Sequence, residues 1–305
     1  QATILFYKGA AYGQLEEPEK YKEYLQRCKS LGGNSPFSNL AELYLQSETD
    51  LHDGLTGVSD LLQDNPNFTE GHLLQGRLAF AAHKFELAES AYQAHLTLLP
   101  GVTFVKLPLA NTMIKTGKFS EAKGHLKEIL KNIPHQPFAN QLMALVKFQE
   151  KDFEGALRHA EMVTRNSAGN DANSLIAGLA AFQRKNYELS HNYLRSVVNK
   201  LDDTHPAKKV FAIVQLQLGY SLEATNTLGS LEGLSDENSV LYTHAALELV
   251  KQGEMAEAQK IVTKASSIQG LSVASLTKLG LLKITLNDVT GFSDLEKALE
   301  QSPSF

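Results

Sequence analysis

The chain has 305 residues, 43% hydrophobic and 21% charged, with a formal net charge of −5, one cysteine and no tryptophan. This composition excludes a disordered or collagen-like chain, an internal disulfide and a cysteine-based zinc centre. The mild acidity argues against a nucleic-acid face, which usually shows as a strongly basic domain, and no stretch approaches the roughly 18 consecutive apolar residues of a membrane-spanning helix.

The opening, QATILFYKGAAYG, has no initiator methionine and no basic-then-apolar leader pattern. Either a mature chain starts here or this is a segment of a longer one, and the second is the expectation. Over residues 1–68 the helical punctuation is degenerate: Gly9, Tyr12, Tyr21 and Leu25 mark one helical pair, and Gly54, Val58, Leu61 and Pro66 mark the second helix of another. From 69 to 272 the pattern is strict. Turn-like pieces end at Ala88, Ala122, Ala156, Ser190, Ala224 and Ala258, every step being 34 residues. Twelve residues before each stands another small side chain: Gly76, Ala110, Ala144, Gly178, Ala212 and Ala246. Pro66, Pro100 and Pro134 keep the same beat. Over 273–305, Leu279, Gly280, Leu295, Ala298 and Pro303 continue it with one residue deleted in the turn.

Within each segment the apolar spacing is helical. Ala122, Leu126, Ile129 and Leu130 recur at i, i+4, i+7 and i+8, the stripe of a half-buried helix. Gly117 and Gly253 stand where a left-handed residue would end the first helix of a pair. Small residues at a helix crossing let the backbones approach to the short end of the usual ~8–10 Å separation. The second helices carry a large residue, Tyr92, Leu126, Leu194, Leu228 or Val262; Ala160 at that place predicts looser packing over 137–170.

This layout resembles the tetratricopeptide repeat, whose unit is a helix–turn–helix of the same period. The resemblance implies an all-α fold, a right-handed α-α superhelix of about nine repeats, forming one array over 1–305 without a domain boundary. In that family, positions 2, 5, 9 and 12 of the first helix usually face the concave groove. Carried over, they give Leu73, Arg77, Phe80, Phe104, Asn111, Ile114, Phe138, Gln141, Phe148, Phe182, Lys209 and Leu216, with Gln149 and Gln183 next to the twelfth position. That position is apolar in six consecutive repeats: Phe80, Ile114, Phe148, Phe182, Leu216 and Val250. Two readings of this stripe stand. It is packing within each repeat, because a first helix must bury one face, or its phenylalanines are partly exposed and grip a partner segment. The family's two-carboxylate clamp for chaperone tails is not supported, since Leu73, Arg77, Leu107 and Asn111 occupy the matching positions.

No catalytic constellation is visible. The chain has no nucleophile elbow, phosphate loop, His-Glu-x-x-His or calcium loop, and the expectation is no enzyme, no cofactor and no metal. Of the ten histidines, His125 and His159 lie one period apart on outer helix positions. His52, His83, His135 and His205 fall in turns, and His95 and His244 read as packing residues on helices. Cys28 occupies a small packing position and reads as a buried structural thiol. The adjacent acids Glu16–Glu17 and Asp202–Asp203 diverge in turns and make no acid–base pair.

Longer phrases are similar to the tetratricopeptide-repeat lipoproteins of bacterial PEP-CTERM/exosortase systems: Ala139-Asn140, Lys208-Lys209 through Leu218-Gly219, and Gly291 through Asp294-Leu295-Glu296. This resemblance implies a non-enzymatic envelope scaffold, periplasmic or outer-membrane-associated, with a lipid anchor upstream, that binds a protein or peptide near exopolysaccharide and protein-sorting machinery. The alternatives are a sensor for a small peptide or saccharide, and a cytoplasmic adaptor. Pairing of two copies through terminal helices is a further possibility.

Overall fold

The computed structural model describes residues 1–31, 35–164, 171–229 and 235–302. Pro303, expected to close the last repeat, lies outside them. Among the described residues every regular element is helical, and the chain divides into two compact units, Gln1–Gln149 and Glu150–Phe305. The first holds α1 (Ala2–Gln14) and α2 (Pro18–Ser30), α3 (Pro36–Ser47) and α4 (Leu51–Asp64), α5 (Thr69–Ala81) and α6 (Phe85–Leu98), α7 (Lys106–Lys115) and α8 (Phe119–Asn132), and α9 (Pro137–Gln149). The second holds α10 (Phe153–Thr164), α11 (Asp171–Gln183) and α12 (Tyr187–Leu194), a 3-10 turn at Val198–Lys200, α13 (Pro206–Gln217) and α14 (Ser221–Gly229), α15 (Asp236–Gln252) and α16 (Met255–Ser266), and α17 (Val273–Thr285) and α18 (Gly291–Gln301). Inside each unit a helix packs on its hairpin partner and on the next hairpin, the nearest-neighbour logic of a repeat array.

The period is written into the backbone. The residue ending the first helix of a pair is left-handed at His83, Gly117, Lys151, Lys185, Gly219, Gly253 and Asn287, with φ between 57° and 84°. Each step is 34 residues. At Gly253 the Gly253 N–H donates to the Val250 carbonyl at 3.1 Å and the Glu254 N–H to the Leu249 carbonyl at 2.9 Å. The same two bonds recur at His83, Gly117, Lys185, Gly219 and Asn287. This pair of bonds is the Schellman closure, which satisfies carbonyls that the helix end leaves open. Gly117 and Gly253 therefore do what their spacing predicted, and four non-glycine residues, His83, Lys151, Lys185 and Asn287, adopt the conformation without glycine's freedom.

The small residues mark the crossings. Ala88, Ala110, Ala122, Ala212, Ala224, Ala246 and Ala258 are fully buried. In α5 a Cβ on Gly76 would stand 2.6 Å from the ring of Tyr92, and in α11 a Cβ on Gly178 would stand 2.6 Å from Leu194. Glycine and the large residue 16 positions later thus fit as a knob and its hollow. Ser190 adds a hydrogen bond across the crossing, its hydroxyl donating to the Gly178 carbonyl at 2.8 Å. Burying each Leu, Val or Tyr of this set contributes about 1.5–3 kcal/mol.

The phrases that set the longer resemblance have structural tasks here. Asn140, buried, donates through Nδ2 to the carbonyls of Pro134 at 2.9 Å and Gln136 at 3.0 Å, tying the turn before α9 to that helix. Gly219 is a left-handed cap. Gly291 meets the backbone of Gly280, and Asp294 holds Lys283 at 2.6 Å in a buried ion pair between α17 and α18.

Candidate functional site

A cavity of about 1110 Å³ opens in the first unit. Its wall draws on α1, the start of α2, α3, α5, the end of α6 and the segment leading into α7. The first helices α1, α3 and α5 contact one another in series, so the side chains they turn to one side form a groove. Aromatic and aliphatic groups dominate its surface: Phe6, Tyr7, Tyr21, Tyr44, Leu73 and Phe104. Phe104 is 63% exposed at the mouth.

The polar groups of the groove are arranged in pairs. The Tyr7 hydroxyl of α1 donates to Glu70 of α5, and Glu70 also accepts from the Thr69 hydroxyl at 2.7 Å. Lys22 holds Glu48 at 2.9 Å. Arg77 lies over the ring of Tyr44, its guanidinium carbon 5.7 Å from the ring centroid, within the range of a cation–π contact. Burial pushes the phenols of Tyr7 and Tyr21 up to about 12 each, with the Glu70 hydrogen bond adding to the effect at Tyr7. Burial also raises Tyr44, against the opposing pull of Arg77. All three therefore remain neutral hydroxyls at physiological pH. His95, 3% exposed, accepts no free choice of tautomer: its Nδ1 faces the Thr69 carbonyl at 2.8 Å and must carry the proton.

The sequence-predicted residues fall into distinct places. Arg77 lines the cavity, as do Leu73 and Phe104. Ile114 and Leu216 are core side chains, 8% and 6% exposed, and offer no groove surface. Phe80 is half-buried and packs edge-on against Phe85 with centroids 5.4 Å apart; Phe182 is half-buried beside Tyr187 at 6.3 Å. In both hairpins the twelfth-position aromatic rests on the first residue of its own second helix, which is the packing reading of the stripe. Phe148 is half-buried; Asn111 and Gln141 are partly exposed; Gln149 and Gln183 are exposed. Lys209 is half-buried, its Nζ 3.5 Å from Glu237. None of these lines the cavity.

The position three before the stripe was named from spacing only at Arg77 and Asn111, and its later occurrences were missed. Leu145, Leu247 and Leu281 are exposed, the last two by 45% and 55%, and Leu179 and Ile213 are partly so. They continue Arg77 and Asn111 at the same 34-residue step, and that spacing, followed to the end of the chain, finds them. Tyr21 and Tyr44 lie in the degenerate stretch 1–68, where the pattern does not identify facing positions. His244, expected to pack, is exposed on α15 with its Nε2 3.9 Å from Glu248. Cys28 is fully buried, its thiol raised chiefly by burial, as a structural cysteine requires. Among the described residues no group of three or more His, Cys, Asp or Glu is placed to hold a metal ion, and no helix is long and apolar enough to cross a membrane.

Comparison with known proteins agrees with this architecture. No protein-family profile matches the chain. The DnaJ protein P58IPK homolog B of Oryza sativa subsp. japonica is 22% identical over 284 residues, covering 83% of this chain. The chain spans 60% of that relative's length. Among solved structures, a tetratricopeptide repeat protein from Parabacteroides merdae ATCC 43184 superposes over 82% of this chain and 99% of its own, with a TM-score of 0.52 and 16% identity. YrrB, described as a tetratricopeptide-repeat protein with an unusual peptide-binding site, covers 58% of this chain and 92% of its own, with a TM-score of 0.50 and 14% identity. The fold is therefore all-α, a tetratricopeptide-type α-α superhelix, as its period implied.

Proposed function

We propose that this chain is a non-enzymatic protein-interaction scaffold whose first unit takes an extended segment of a partner protein into the groove around Arg77. The observation that carries this reading is the cavity itself: apolar and aromatic walls of ligand-pocket size with a few placed polar groups, on the side to which successive first helices turn. YrrB, similar in fold, has a peptide-binding site by its description. A photo-crosslinking residue at Leu73 of the full chain is expected to capture partner protein that the Phe104→Ala variant captures less well, while the same residue at exposed Gln93 on α6 captures none. Equal capture from both positions would sink the groove reading.

For the setting, we propose an envelope protein of the exopolysaccharide and protein-sorting type, periplasmic or outer-membrane-associated and anchored upstream, on the ordered phrases at Ala139-Asn140, Lys208 to Gly219 and Gly291 to Glu296. The rice relatives favour a second setting, the repeat segment of a DnaJ-type protein. The complete coding sequence separates the two. A leader ending in a lipid-acceptor cysteine supports the first, and a DnaJ-type segment in place of it supports the second.

A further inference from the structure

We propose that the segment docking in the first unit's groove carries one acidic side chain set among aromatic or aliphatic residues, and that its carboxylate lands on Arg77. This rests on the groove reading above and names the chemistry of its ligand.

Arg77 is the cation of the groove without an acid. Its side chain is exposed and held over Tyr44, and among the described residues no carboxylate oxygen lies within ion-pair distance of it. The nearby acids already have partners: Glu70 accepts from Tyr7 and Thr69, and Glu48 is held by Lys22. A guanidinium carries parallel pairs of N–H donors, the geometry that a carboxylate matches in a bidentate pair, and the contact of Arg77 with Tyr44 puts no acid on it.

The charge count of the wall limits the ligand further. Lys22 and Arg77 stand against Glu16, Glu48 and Glu70, two positive and three negative groups, so the wall carries a net charge of −1. The wall does not attract anions as a class; it offers one unpaired cation, Arg77, which matches a single carboxylate and leaves the repeated charges of a nucleic-acid backbone or a multiply phosphorylated peptide unmet. Apolar surface continues on both sides of Arg77. Phe6 and Tyr21 come from α1 and α2, and Val102 and Phe104 from the segment before α7. A bound chain therefore runs past Arg77 in both directions, and the acid is an internal side chain, not a C-terminus.

The test is selection of peptides with both ends capped on the full chain, followed by fluorescence anisotropy with the enriched sequences. Enriched peptides should carry one Asp or Glu flanked by apolar residues. Their affinity should fall about tenfold or more in Arg77→Gln, fall less in Arg77→Lys, and fall by the same factor when the acid becomes its amide. Combining Arg77→Gln with the amide peptide should cost nothing further. Helix content and melting temperature of each variant are measured alongside, because Arg77 is exposed and its replacement should leave both unchanged. Acid-free peptides that lose binding in Leu73→Asp but not in Arg77→Gln would overturn the carboxylate assignment and leave the groove reading standing. Binding that requires a free peptide C-terminus would overturn the internal acid. If no enriched peptide responds to Leu73→Asp, the groove reading itself fails.

Discussion

At Lys185 an L-residue with a large side chain sits at φ 58°, where the left-handed conformation costs roughly 1–2 kcal/mol relative to the right-handed one. Gly117, Gly219 and Gly253 occupy the equivalent turns without that cost. Glycine returns part of the gain through the greater entropy of the unfolded chain, about 0.4–1 kcal/mol. Lys185→Gly is therefore expected to stabilise the protein by about 0.5–1 kcal/mol in urea melts. A destabilised variant would mean that the lysine side chain does more than occupy the turn. This conformation was legible at Gly117 and Gly253, because glycine announces it, and not at His83, Lys151, Lys185 or Asn287. There the demand comes from the hairpin geometry and not from the residue.

The crossing within a hairpin decides how its two helices fit together. Gly76 of α5 and Tyr92 of α6 show why. A methyl group at Gly76 would lie 2.6 Å from a ring that is itself buried on all sides, so the ring cannot move aside and the hairpin must open. Gly76→Ala is expected to cost about 1–3 kcal/mol, the usual range for overpacking, by chemical denaturation. Adding Tyr92→Leu should recover part of the loss, since the smaller side chain vacates the hollow. If the double variant is no better than the sum of the two, the pair is not coupled. The twelve small positions were readable from sequence because each lies on a fixed step. The identity of what fills each hollow also followed from a step, 16 residues in the cases of Gly76 and Gly178. The exposure of the twelfth-position stripe did not follow. Phe80 and Phe182 turn onto the second helix of their own hairpins, and no spacing rule states whether a first helix gives that face to its partner or to solvent.

Within each unit, contacts run between neighbours, so damage should stay local. The buried pair Lys283–Asp294 fastens the last hairpin. Removing the acid strands a buried ammonium, which costs about 3–5 kcal/mol. Asp294→Ala is expected to raise hydrogen-exchange rates through α17 and α18 while leaving α1–α9 protected as before. Loss of protection throughout would show that the molecule unfolds as one cooperative block. The sequence by itself determined the fold class, the hairpin boundaries and the crossing residues of this protein. All of these follow from short-range spacing along a helix and from a repeat that pairs each segment with its neighbour. The repeat spacing also named Leu73, Arg77 and Phe104 as groove-facing, and they line the cavity; the tertiary structure alone decided where the groove is and which groups of the degenerate stretch join them. Tyr7, Tyr44, Arg77 and Phe104 meet there from four segments spread over nearly a hundred residues, two of them, those of Tyr7 and Tyr44, outside the regular pattern. Their meeting depends on how successive hairpins stack, a property of packed surfaces that no periodicity within the chain encodes.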